Sequence, residues 1–482
     1  MLAVANVLGL MLVGFSAAYI LPILAALWYG DGTGGPFVLT GLASVGVGFA
    51  LAALTSGRGR EMKPRDGFLL VTLGWVLLPA TATLPLLALL PHLTFTHAFF
   101  ETMSGLTSTG ATVLTGLDRL PPSVNLWRHT LEWFGGLGMI VLAVAVLPLL
   151  GVGGMELYRG EAPGPVKEDK LTPRIRETVK SLSIAYSVLT VCGIIALKLS
   201  GMTWFDAICH AFSAVSLGGF STHDRSIAYF HSLPIELTLA ALMIVASLSF
   251  ARHFVALRRL TIEPYTRDPE VKAILVLLAA SVVGIALLLT LRHIYPSFSA
   301  ALRHSFFDVV SIATTSGLVT NNYAVWPLLA PFWMLFLSCI LCSTGSAGGG
   351  IKMFRTLLLS KQAGRELKLL VHPNAVAPIR IGGRLIPERV GGSVLAFIFL
   401  YFMTTAALTF ALLATGLGFE SSFGAIVASI NNTGPGLGVV GPLKTYHALD
   451  PLQDWICVLA MLLGRLEIFS VLVVLTPTFW RK

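Results

Sequence analysis

The sequence predicts an all-α integral membrane protein with ten transmembrane helices, and three observations carry that reading. Of its 482 residues, 55% are hydrophobic and 12% charged, against roughly 25% charged in soluble domains. Mean hydropathy is +0.80. Uncharged runs at 1–30, 36–56, 67–91, 133–155, 273–291, 326–351 and 390–419 are long enough to cross a hydrocarbon core of about 30 Å, which takes roughly 20 helical residues. Soluble enzymes and secreted scaffolds are thereby excluded.

Taken in order, 1–30 and 36–56 form two N-terminal helices in a unit spanning 1–66, because the leading segment lacks the basic start of a cleaved signal peptide. Three less uniform runs, 181–197, 237–251 and 455–480, bring the count to ten; the last is interrupted by Arg465 and Glu467. Runs this long and apolar exclude a barrel of alternating strands. Cys192, Cys209, Cys339, Cys342 and Cys457 lie in or beside apolar segments, and an odd number cannot all pair within one chain. Cys339 and Cys342 have redox or zinc spacing but no second ligand pair, so helix packing is the preferred reading.

Charge maps the topology. Of the 33 Lys and Arg, 25 fall at 58–65, 159–180, 252–272, 352–389 and 481–482, all on one side of the expected spans. The positive-inside rule makes that side cytoplasmic and puts both termini there. Basicity therefore reports orientation and calls for no nucleic acid. The opposite face mixes Arg128 and Lys444 with Glu101, Asp118, Asp206, Asp224 and Asp308; it is either a weakly acidic vestibule that attracts cations or a solvated rim.

After the first two helices, each outward connection holds a half-length apolar element ending in a glycine turn: 107–111, 216–220, 314–318 and 431–435. The glycines at 110, 219, 317 and 434 recur 109, 98 and 117 residues apart, with Ser104, Ser213 and Ser311 six before and Ser429 five before. This divides the chain into repeats at 67–166, 167–260, 261–389 and 390–482. A re-entrant helix with a glycine turn, repeated four times, builds a pore, because irregular backbone at membrane depth must be buried or line water.

These residues resemble the superfamily of Trk, Ktr and HKT cation transporters, most closely its TrkH/TrkG-type bacterial potassium-uptake branch. The likeness includes Trp133 to Gly138, Leu147-Pro148, Gly151 to Met155, Pro163 to Lys167, Leu171 to Ile175, Gly218 to Asp224, Asn431 to Gly436 and Gly464 to Phe469. It implies four helix–pore-helix–helix repeats around one pseudo-fourfold pore, a homodimer, and a bacterial inner-membrane location. It also implies potassium bound by backbone carbonyls of Ser108, Thr109, Gly110, Leu217, Gly218, Gly219, Thr315, Ser316, Gly317, Asn432, Thr433 and Gly434. Glycine rather than serine at position 110 favours potassium within this superfamily. Repeats two and four depart from the Thr-Thr-Gly type, so the ligand ring is uneven.

The run at 326–351 ends in Gly345, Gly348, Gly349 and Gly350, four glycines within six residues. Each costs about 1 kcal/mol relative to alanine in a helix interior, so the helix breaks there. It forms either a loop beneath the filter or a close-packing glycine patch; the resemblance implies a gating loop. Arg465, ten residues into its run, costs roughly 2.5 to 3.5 kcal/mol at mid-membrane. It either pairs structurally, with Glu467 or a neighbouring repeat, or acts as a pore charge against that loop.

No strand-turn-helix nucleotide unit occurs, so the chain itself is expected to bind no organic cofactor. The resemblance implies a cytosolic TrkA-like subunit binding NAD(H) or ATP/ADP, docking on the basic loops; the same charges also suit anionic membrane lipid. The rival transport reading is a potassium–proton or sodium symporter, with Glu467 as its intramembrane carboxylate. Histidines such as His92, His97, His129, His231 and His304 read as scattered over outer loops, without a hydrolase arrangement, so no enzyme is expected.

Overall fold

The structure, a computed structural model, describes residues 2–56, 63–145 and 171–481. The strings at 147–148, 151–155 and 163–167, and the basic residues Arg58, Arg60, Arg159, Lys167 and Lys170, lie outside the described residues.

Helices α1 (Leu2–Phe15) and α2 (Ile20–Tyr29), joined by one 3₁₀ turn, and α3 (Gly34–Thr55) form the N-terminal unit. Gly9 and Gly48 let α1 and α3 touch backbone to backbone, since a Cβ on Gly9 would lie 2.5 Å from the Gly48 carbonyl oxygen. The segment expected as the first repeat holds α4 (Pro64–Leu89), the short α5 (Phe95–Leu106) and α6 (Pro122–Ala145). Tyr19 stacks on Trp127 of α6 at 4.6 Å, and Phe15 and Phe37 close around the same indole. This aromatic cluster seats the N-terminal helices on repeat one.

The second repeat contributes α7 (Leu171–Leu199), α8 (Trp204–Ser216), α9 (Leu233–Ala246) and α10 (Phe250–Arg259). The third contributes α11 (Pro269–Leu291), α12 (Phe298–Ala313), α13 (Leu329–Ile340) and α14 (Met353–Val371), and then a two-stranded hairpin pairing Arg380–Ile381 with Arg384–Leu385. The fourth contributes α15 (Glu388–Ala414), α16 (Phe419–Ile430), α17 (Pro451–Arg465) and α18 (Phe469–Leu475).

Among the described residues, six spans, counting α1 and α2 as one, are long and apolar enough to cross a membrane; α9 with α10 and α17 with α18 join them as bent pairs, at 99° and 116°. The sequence predicts one spanning helix at each of 237–251 and 455–480. Instead the chain turns at 247–249 and 466–468, and φ is +54° at Glu467 and +51° at Ile468. Arg465 consequently ends a helix rather than sitting in the middle of one. The run at 326–351 is helical only to Ile340, and the glycine segment is a loop of turns and bends.

The short helices α5, α8, α12 and α16 start from a common device. Thr94, Thr203 and Ser297 cap the first three, accepting from the N–H groups of His97, Asp206 and Ala300; Gly418 takes that place in the fourth.

Candidate functional site

Each short helix ends identically. Ser108, Leu217, Thr315 and Asn432 take left-handed backbone, with φ of 51°, 55°, 63° and 53°. The next residue then reaches back five positions. Thr109 N–H donates to Ser104 O at 2.8 Å, Gly218 to Ser213 at 2.9 Å, Ser316 to Ser311 at 2.8 Å, and Thr433 to Ala428 at 2.8 Å. This is a Schellman ending, and it registers Ala428, not Ser429, with the three serines. One residue later Gly110, Gly219, Gly317 and Gly434 turn left-handed again, with φ of 78°, 93°, 79° and 85°, a conformation glycine adopts without strain.

The four turns close on one another in a ring. A Cβ on Gly110 would lie 2.1 Å from Gly218 O, on Gly219 2.1 Å from Ser316 O, on Gly317 2.0 Å from Thr433 O, and on Gly434 2.7 Å from Thr109 O. A cavity of about 80 Å³ sits on this ring, lined by all four glycines with Arg128, His223, Lys444 and Tyr446 among its walls. All twelve residues expected at the filter therefore come together. One carbonyl is partly engaged: Tyr446 OH donates to Gly434 O at 2.8 Å, leaving one lone pair. The fourth segment is also tied across to the first, since Asn432 Nδ2 donates to Thr109 Oγ1 at 2.9 Å.

The acids expected on a vestibule or rim are mostly struts. Glu101 is buried, accepts from Val113 N–H at 3.0 Å and Thr112 Oγ1 at 2.9 Å, and pairs with buried Arg128 at 2.7 Å. Asp308 does the same for Thr320 N–H at 2.9 Å, and His210 Nε2 lies 3.0 Å from Ser221 Oγ. Each braces the chain leaving the ring glycine of its segment. His129 is no loop residue either: it is buried on α6, with its ring 6.1 Å from that of His210.

Beneath the ring lies the glycine loop. Gly349 N–H donates to Thr315 Oγ1 at 3.2 Å, and a Cβ on Gly349 would fall 2.0 Å from Asn431 O, on Gly348 2.2 Å from Cys342 Sγ, and on Gly350 2.6 Å from Cys339 O. The φ values of +81° at Gly345 and +76° at Gly350 are ones glycine adopts without strain. The loop is pinned from outside by the bend in repeat two: Phe250 N–H donates to Gly345 O at 3.2 Å and Ser343 N–H to Ser247 O at 2.9 Å. Glu270 accepts from Ser343 Oγ and Thr344 N–H at 2.8 and 3.0 Å, while the Lys352 ammonium bonds Gly348 O.

Arg465 is buried and donates to Ala347 O in the loop at 2.7 Å, to Ser108 Oγ at 3.2 Å and to Gly135 O at 2.9 Å. It thus touches both the loop and a neighbouring repeat. Glu467 is not its partner: that carboxylate takes Arg355 at 2.5 Å. The two motif cysteines are engaged separately, Cys342 Sγ donating to Thr314 O at 3.3 Å and Cys339 Sγ to Leu335 O at 3.4 Å. Sequence reading missed Glu132, which is buried on α6 and accepts from Phe220 N–H at 2.8 Å. Its signal is the polar stripe Asn125, Arg128, Glu132, spaced to line one helix face.

The comparisons agree with this geometry. The TrkH model, described as a cation transport protein, matches residues 35–482. The Trk system potassium uptake protein TrkH of Salmonella typhimurium is 45% identical over 481 residues, covering 100% of this chain and 99% of the relative. The Trk system potassium uptake protein TrkG of Escherichia coli is 37% identical over 480 residues, covering 99% and 98%. The crystal structure of the potassium transporter TrkH from Vibrio parahaemolyticus superposes with a TM-score of 0.91 at 41% identity, over 100% of this chain and 99% of that one. A ring of four glycine turns above a pinned loop, with likeness along the whole length, leads to one conclusion: the chain belongs to the TrkH family of cation transport proteins.

Proposed function

We propose that this protein takes up potassium across a bacterial inner membrane through a channel-like pore at the centre of a pseudo-fourfold, ten-helix array. The observation that carries the reading is the closed ring of left-handed glycine turns. Alternating left-handed residues let successive carbonyls share one direction, and carbonyls from four turns around one axis replace a cation's hydration shell. The short helices end at these turns, so their negative dipole ends face the ion path. The names of the relatives favour potassium.

In this reading the 342–351 loop is the gate and Arg465 its latch, holding Ala347 while adding a positive charge below the filter. Both termini lie in the cytoplasm. The chain works as a homodimer, opened by a TrkA-like cytosolic subunit that binds NAD(H) or ATP/ADP and docks on the basic loops. The resemblance of the sequence to the family supports these last two assignments, and the basic residues Lys361, Arg365, Lys368, Arg380, Arg384 and Arg389 in the connection between repeats three and four suit a docking partner.

The test is rubidium-86 uptake into liposomes driven by a potassium gradient, with sodium, lithium and potassium as competitors. Block by potassium but not by sodium or lithium, and weaker discrimination in Gly110→Ser, is the expected result. Uptake that appears only when a proton gradient is imposed would replace the pore with a symporter.

A further inference from the structure

Glu132 has no part in that mechanism, yet it is fully buried directly behind the second filter segment. Its Oε1 accepts from Phe220 N–H at 2.8 Å. A Cβ on Gly218 would lie 2.4 Å from its Cδ, so the carboxyl group presses on the filter backbone itself. Its own carbonyl accepts from Ser108 Oγ at 3.2 Å in the first filter segment.

The Phe220 N–H belongs to the same peptide unit as the Gly219 carbonyl. In a planar trans peptide the two point in opposite directions. An acceptor that holds this N–H away from the ring therefore aims Gly219 O at the ring's interior. The other repeats handle the junction differently: in the fourth, Pro435 follows the glycine and offers no N–H. In the first and third, Glu101 and Asp308 act two residues further on, at Val113 and Thr320.

We propose that Glu132 is a positioning residue for ion selection: through its hydrogen bond to Phe220 it holds the Gly219 carbonyl on the ion path of the second repeat. The proposal rests on the filter reading above. What matters is an acceptor oxygen at that reach, not the charge. Glu132→Gln keeps the acceptor and drops the charge, whereas Glu132→Asp keeps the charge and falls one methylene short.

The test measures the potassium-to-sodium competition ratio for rubidium-86 uptake by the reconstituted full-length chain, wild type and both variants together. A ratio is independent of how much protein folds. Expected is a Glu132→Gln ratio within about threefold of wild type and a Glu132→Asp ratio lowered about tenfold or more. The reverse pattern, equal loss in both, or no change in either overturns the proposal while wild-type selectivity leaves the filter reading standing. A wild type that takes up rubidium without preferring potassium removes the filter reading and this proposal together.

Discussion

At the scale of single residues, buried charges hold this protein's irregular backbone. Arg128 pairs with Glu101 at 2.7 Å with both side chains about 1% exposed, and also donates to Ser221 O at 3.2 Å in the next repeat. Its guanidinium lies 4.2 Å over the Phe220 ring. Removing one member of such a pair strands the other, at a cost of roughly 3–5 kcal/mol. Arg128→Ala is therefore expected to lower the thermal midpoint far more than substitution of exposed Arg267, whose partner Glu263 is on the surface. Size-exclusion profiles after graded heating in detergent measure this, and equal midpoints for the two variants would deny the strut role. Glycines set the opposite limit: Gly135 and Gly464 sit where a Cβ would lie 1.9 Å from Leu106 O and Ile430 O, the same register in repeats one and four.

At the scale of elements, the loop at 342–351 and the two bent helix pairs form one assembly. The bend after α9 holds the loop by Ser247 and Phe250, and the bend after α17 delivers Arg465 to Ala347. Cutting that last contact by Arg465→Ala should raise rubidium flux severalfold at unchanged yield of folded protein. Unchanged flux from well-folded protein would assign the arginine to packing alone, through Ser108 and Gly135. Much of this layer is legible in sequence. Four glycines within six residues break a helix by propensity alone, and a glycine at constant offset from a helix end marks a left-handed turn. The bends are not legible, because 237–251 and 455–480 carry no glycine or proline cluster at the breaks. There the chain turns at Ser247 and Glu467 because tertiary partners hold it. The struts escaped for a related reason: an acid in an apolar context reads as rim or as ligand until its backbone partner is known, and Glu132 finds its partner 88 residues away.

At the scale of the whole molecule, the four repeats are joined outside the ring as well as at it. Tyr446 N–H donates to Thr112 O at 2.8 Å between repeats four and one, and Ile227 N–H to Val319 O at 3.1 Å between two and three. Repeats one and two meet through a charged clasp: His223 Nδ1 lies 2.5 Å from Asp118 Oδ1 and its Nε2 3.5 Å from Asp206. The ring stacks on Tyr229 at 3.5 Å, with Phe230 edge-on at 5.3 Å and His210 behind. Burial pulls the imidazole down, but the carboxylates of Asp206 and Asp118 outweigh it and hold its pKa above 6.5. Burial likewise pushes Asp118 up, and its bonds to His223 and Asp224 outweigh that and hold it below 3.8. A raised histidine stabilises fully below its unfolded value and loses that contribution as pH rises through the folded one; a lowered aspartate loses its contribution as pH falls through its folded value. The clasp is thus complete between these limits and weakens on the alkaline side. His223→Gln should lower the melting midpoint by roughly 1–2 °C at pH 6 and by less at pH 8.5, whereas an equal difference at both would mean that His223 joins the repeats by stacking on Tyr229 and not by charge.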